Sequence, residues 1–327
     1  MVENAAATAA RPQPGAPELI EIAACKRSAH HAFINWIGNN SAEPIVHFNN
    51  VWPTSAPRLG HARVAHADLV TTDAALKGTR LDLLRAFPIR TIVNFEGKLI
   101  ESINAWNDVT VSPLSEKPLK KFIFLRDPLN NTASLAQRTR RLQYIDLFRF
   151  FHQVLALERL LEAVLTDGWA DDVVPLCRWQ EDVDFRDSLA RRLRLIDAAL
   201  PRDVSRFGGG SSFGDTAFEG DGRRRLYARW RAVLASELFL APFTDDRFRE
   251  LTRAYIAQIG GSEDVSAADF DEVVRAARDA PRAARWKRRF LDGLRANRDW
   301  IVRLERSPSL PYREYVRGRL RLLLAAR

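Results

Sequence analysis

Four short apolar runs, rich in β-branched or aromatic residues and followed by charged or polar side chains, constrain this chain more than any other feature. They are Glu18 to Cys25 (E-L-I-E-I-A-A-C), Thr91 to Phe95 (T-I-V-N-F), Lys121 to Leu125 (K-F-I-F-L) and Asp172 to Arg178 (D-V-V-P-L-C-R). Short runs with little polar alternation predict strands buried on both faces, and such strands belong to parallel sheets covered by helices. The connections agree: A-F-I-N-W-I, starting at Ala32, reads as a helix after the first run, and a long helical pattern extends from about Thr132 to Leu165. The expected fold is therefore α/β, a three-layer parallel sheet with helices on both faces and a helical C-terminal part. Pro175 marks the fourth strand as an edge or bulged strand, because proline removes a ladder donor. Residues 40 to 90, with scattered Pro, Asn and His, predict irregular crossovers and loops. Beyond residue 186 the pattern is almost wholly helical, broken by the glycine-rich turn Phe207 to Gly214.

Hydrophobic residues at 46% and charged residues at 28% leave disordered, collagenous and coiled-coil classes aside. The chain has no run of about 18 apolar residues, and its first 17 residues are Ala/Pro-rich without an apolar segment. A cytoplasmic location is the expectation. Two cysteines, Cys25 and Cys177, are too few for a disulfide framework or a zinc site and predict buried reduced thiols. Residues 271–327 hold 16 Lys and Arg against 7 Asp and Glu, so the whole net charge of +9 sits in that stretch. The chain divides accordingly into a flexible tail, 1–17, an α/β domain, 18–264, and a basic helical extension, 265–327, expected to lie outside the chemistry. The stretch from A-R-W-K-R-R-F-L-D-G-L-R, starting at Ala284, to R-G-R-L-R-L-L-L, ending at Leu324, is basic and amphipathic: a packed helix with a solvated Arg face, or a contact to anionic lipid, an acidic partner or nucleic acid.

In an open parallel sheet, ligands bind beyond the carboxyl ends of the strands, where helix N-termini offer unpaired N–H groups to anions. After the first strand come Lys26, Arg27, Ser28, Ala29, His30 and His31; after the second, Glu96, Gly97 and Lys98; after the third, Arg126 and Asp127. Charged and hydroxyl groups at three strand ends form the pattern of a polyanion site. The motif G-x-x-x-x-G-K-[ST] is missing from the first loop, which argues against an ordinary nucleoside triphosphatase.

Arg27-Ser28-Ala29-His30-His31 resembles the phosphate loop of sulfotransferases that use 3′-phosphoadenosine-5′-phosphosulfate, a Lys/Arg-Ser/Thr-Gly-Thr/Ser-Thr/Ser loop between a strand and a helix. Ala29 stands where that loop has glycine, and two histidines stand where it has hydroxyl residues. F-I-F-L-Arg126-Asp127-Pro128, with Ser134 eight positions after the arginine, is similar to the family's 3′-phosphate site. C-R-W-Q-Glu181-Asp182-V-D-F and the helix after it resemble the family's Arg-Tyr-Glu-Asp-Leu strand end. Arg206, Gly208, Gly209, Gly210 and Ser211 stand where the family closes a loop over the nucleotide. The three blocks and this loop follow the family's order over residues 18 to 214.

The resemblance implies a P-loop-like nucleotide-binding fold, phosphoadenosine phosphosulfate as co-substrate, and sulfuryl transfer to a hydroxyl or amine, with no metal. A carbohydrate or glycolipid acceptor follows by family analogy alone, and no nucleic-acid partner is expected. Lys26 to His31 would hold the phosphosulfate, Arg126 and Ser134 the 3′-phosphate, and Arg27 the leaving phosphate, with Lys26 replacing it one register away. Glu96 stands at the family's base position; His30, His31 and His47 remain rival bases, the first two also being phosphate donors. Two alternatives stay open: a small-molecule kinase with a degenerate phosphate loop, its magnesium held by Glu181 or Asp182, and a basic protein that binds nucleic acid or another partner through its C-terminal helices.

Overall fold

The computed structural model describes residues 18–42, 45–48, 62–66, 69–71, 90–106, 119–139, 144–166, 168–200, 228–259 and 265–306. The expected tail, 1–17, the loop with Arg206, Gly208, Gly209, Gly210 and Ser211, and the end of the basic C-terminal stretch, 307–324, lie outside these residues.

The N-terminal part runs β1 (Leu19–Ala24), α1 (His30–Asn39), β2 (Ile45–Phe48), β3 (Ala62–His66), β4 (Leu69–Thr71), β5 (Arg90–Glu96), α2 (Ile100–Trp106) and β6 (Leu119–Leu125). It continues through α3 (Pro128–Arg138), α4 (Tyr144–Thr166), β7 (Asp172–Pro175), α5 (Leu176–Glu181) and α6 (Val183–Arg192). After a 3-10 turn, Arg229–Val233, come α7 (Glu237–Phe243), α8 (Asp246–Ile259), α9 (Ala267–Arg278), α10 (Arg282–Ala296) and α11 (Arg298–Arg306). The sheet order is β4-β3-β2-β5-β1-β6-β7. β2, β5, β1, β6 and β7 are mutually parallel, and β3 and β4 add an antiparallel edge.

All four expected strands form, with ends shifted by a residue or two except the last. That strand stops at Pro175, and Leu176–Glu181 turns into α5, because a proline at this edge ends the ladder and pre-sets the backbone for a helix. The expected helix from Thr132 is two helices, α3 starting earlier at Pro128 and α4 at Tyr144. Residues 40 to 90, expected as loops, contain β2, β3 and β4. β2 is I-V-H-F, four residues too short to stand out by periodicity, and it is held by pairing with β5.

Side chains alternate across the sheet into two cores. Ala23, Val93, Phe95, Ile123 and Leu125 face α2, α3 and α4. Ile20, Ile22, Ala24, Ile92, Phe122 and Phe124 face α1, α5 and α6. Phe33 of α1 stacks on Phe124 at 5.2 Å between centroids and meets Trp179 of α5 edge-on at 5.8 Å, which fixes α1 beneath the sheet. The basic stretch in α10 is a packed helix: Ala284, Phe290, Leu291 and Leu294 are buried in the first core, together with Phe270, Val273, Trp300 and Ile301 of the neighbouring helices. Described residues of 265–306 thus share one core with the sheet. Among the described residues no helix is long and apolar enough to cross a membrane.

Candidate active site

α1, which follows β1, lies on one face of the sheet, while α2 and α3, which follow the neighbouring strands β5 and β6, lie on the other. Helices that leave adjacent strands in opposite directions open a crevice at the strands' carboxyl ends, and here β1 has such a neighbour on each side. Register sets the residues at that crevice, since Ala24 stands opposite both Glu96 and Phe124. The chain therefore brings Lys26 to His31, Glu96 to Lys98, and Arg126 to one end of the sheet.

The loop after β1 is tightly wound. Ser28 N donates to Cys25 O at 3.3 Å, and Arg27 and Ala29 take left-handed backbone angles, φ 68 and φ 70. Ala29, standing where the resembled loop has glycine, occupies a conformation that glycine adopts without a Cβ clash. It is also the N-cap of α1 and supplies no side-chain cap, and the first turn of α1 has no acidic residue. The start of α3 is closed differently: Asp127 accepts from Asn130 N at 2.8 Å, with Pro128 in the first turn. Of these two helix starts, α1 is the one suited to an anion.

Arg126 and Ser134, eight positions apart in the sequence, are in contact. Arg126 Nη1 donates to Ser134 Oγ at 3.2 Å, and the two residues are 2% and 0% exposed. On the same helix Asn131 Nδ2 donates to Lys26 O at 3.1 Å, tying α3 to the first loop.

His30 is buried, with Nδ1 3.0 Å from Ser28 Oγ, and burial lowers its pKa to about 3. Its ring lies 4.1 Å from that of His31, which lies 6.3 Å from that of His47. One ligand atom each from His30, His31 and Glu96 lies within 4.8 Å of the others. The sequence offered no metal-ligand cluster because these groups come from separate strand ends; the fold gathers them, and the set could hold a metal ion. Cys25 is buried, and burial, with the charge of Glu96 next, pushes its thiol well up; Cys177 is half-buried.

Sequence reasoning placed Lys98 at a strand end without giving it a role, and it missed Gln153 and Glu305, the other two groups that meet here. Lys98 is 6% exposed, and burial lowers its pKa to about 8 despite Glu305 and Glu96 nearby. Gln153 of α4 bridges the two loops, accepting from Lys26 N at 3.3 Å and donating to Gly97 O at 3.3 Å. Gly97 has φ 65, and a Cβ there would collide with the Gln153 amide, so this position requires glycine. Glu305 of α11 accepts from Leu99 N at 3.1 Å and from His152 at 2.8 Å. The extension expected outside the chemistry thus reaches the loop after β5. Only Lys98 carried a signal in the sequence, its place after a strand; Gln153 and Glu305 sit inside helical patterns, and only the fold brings them here.

Of the carboxylates considered for magnesium, Asp182 is engaged at the start of α6. Asp182 caps α6, accepting from Phe185 N at 2.9 Å and from Arg178 at 3.1 Å, and these bonds lower its pKa. Glu181 is exposed at the end of α5, beside the edge strand β7. Comparisons with family models, curated proteins and solved structures give no match for this chain.

Proposed function

We propose that this chain is a sulfotransferase of P-loop-like α/β type that moves the sulfuryl group of 3′-phosphoadenosine-5′-phosphosulfate to an acceptor hydroxyl or amine in the cytoplasm. The Arg126–Ser134 contact carries the reading: an arginine at a strand end and a buried hydroxyl eight residues on, 3.2 Å apart, form a fork for one phosphate beside the loop that would hold the phosphosulfate. Charge supports it. Lys26, Arg27, Lys98 and Arg126 come from three adjacent strand ends, and burial already lowers Arg27 and Lys98. Cations withdrawn from water are stabilised by an anion, and a nucleotide with phosphate at both ends supplies one to each group.

In the reaction the acceptor oxygen or nitrogen forms a bond to sulfur as the bond from sulfur to the bridging oxygen breaks. Charge then develops on the 5′-phosphate, where Arg27 and the N–H groups of α1 would stabilise it. Glu96 takes the acceptor's proton, its carboxylate held near Arg27 and Lys98. Ser28, His30 and His31 would stand beside the sulfuryl group. The test is transfer of labelled sulfate to a panel of glycan, lipid and amine acceptors. Glu96→Gln should lower turnover by about 10²- to 10⁴-fold with nucleotide affinity nearly intact. Retained turnover in Glu96→Gln, with loss in a His31 or His47 variant, assigns the base to histidine instead.

A further inference from the structure

We propose that His30, His31 and Glu96 form a binding site for a divalent transition-metal ion. Two imidazoles and one carboxylate are a donor set suited to zinc, cobalt or iron, and three protein ligands leave a position open for a further ligand. The ligand atoms lie within 4.8 Å of one another. With bonds of about 2.1 Å, donors in a tetrahedral site are roughly 3.4 Å apart, so closing the site requires shifts of about an ångström. Those shifts fall to His31 and Glu96, which are half-buried, while His30 is held.

His30 supplies the independent observation. Its side chain is buried, and Nε2 has no hydrogen-bond partner among the described residues, while Nδ1 lies 3.0 Å from Ser28 Oγ. When the Ser28 hydroxyl accepts the Nδ1 proton, the lone pair is left on Nε2, which is the tautomer that a metal ligand needs. A polar atom buried without a partner is costly, and an ion bound through Nε2 would satisfy it. Arg27 and Lys98 lie close enough to feel the Glu96 charge, and their repulsion weakens a bare cation. Affinity is therefore expected in the micromolar range rather than the nanomolar, with an anion favoured at the open position. The ion would use the Glu96 lone pair that accepts the proton in transfer. Inhibition of transfer by the metal is thus a consequence that rests on the proposed function, whereas the binding itself does not.

The test is calorimetric titration of the full chain with zinc chloride, together with the absorption spectrum of the cobalt(II) form. One ion per chain is expected, and Glu96→Gln and His31→Ala should each weaken it at least tenfold with unchanged circular dichroism. The cobalt spectrum should show d–d bands of nitrogen and oxygen ligands without a sulfur-to-metal charge-transfer band. Arg126→Ala should keep the ion affinity within about threefold while losing the bisphosphate preference, which separates failure of this site from failure of the nucleotide reading. Equal zinc affinity in both ligand variants, no saturable binding below about 0.1 mM, or a sulfur band would each overturn the assignment.

Discussion

At Ala29 the loop after β1 holds a non-glycine residue at φ 70, a region where Cβ crowds the backbone. Ala29→Gly should therefore raise stability by roughly 0.5–1 kcal/mol in a denaturant titration, even though glycine loosens the unfolded chain. A clear loss would mean that the loop does not need this conformation. The neighbouring His30 makes a different prediction. Its pKa is about 3 in the folded chain against an ordinary 6.5, so the unfolded chain binds a proton that the folded one refuses once the pH drops below about 6.5. Between about pH 6.5 and 3 stability should fall toward acid by up to about 1.4 kcal/mol per pH unit from this group, and His30→Asn should remove that part of the slope. An unchanged slope would place the ring in solvent. At this scale the sequence was informative where a motif has fixed spacing, as for Arg126 and Ser134. It was silent on Gln153, whose role depends on two loops that meet only in the fold.

At the scale of elements, the C-terminal helices are structural partners of the sheet. α9, α10 and α11 place Phe270, Val273, Val274, Leu291, Leu294, Trp300 and Ile301 in the same core as α4, and Glu305 holds Leu99 N. A chain ended at residue 264 should lose cooperative unfolding, because removing several fully buried large side chains costs about 2–5 kcal/mol each against a marginal total. A folded, nucleotide-binding truncation would contradict this packing. The central strands were legible because β1, β5 and β6 are buried on both faces and so carry continuous apolar runs. β2 to β4 were not, since short strands at one side of the sheet take their place from pairing rather than from pattern. The charge of residues 271–327 likewise concealed a packed stripe: the arginines dominate composition, while the apolar positions decide where the helix lies.

For the whole molecule, the decisive feature is the crevice where α1 departs to one face of the sheet and α2 and α3 to the other. The sequence supplied the strand-end residues in order, but not the strand order that sets β1 between β5 and β6. That arrangement brings the loop after β1, the Glu96 carboxylate and a buried Arg–Ser pair to one end of the sheet, where the proposed function would set a nucleotide carrying phosphate at two positions. Calorimetric binding of adenosine 3′,5′-bisphosphate against 5′-AMP, in the full chain and in Arg126→Ala, measures this directly. The bisphosphate should bind about 10- to 100-fold more tightly, and Arg126→Ala should erase most of that difference, as expected for a charge-assisted bond of roughly 1.5–3 kcal/mol. Equal affinity for the two nucleotides, or a preference unchanged in Arg126→Ala, would contradict it.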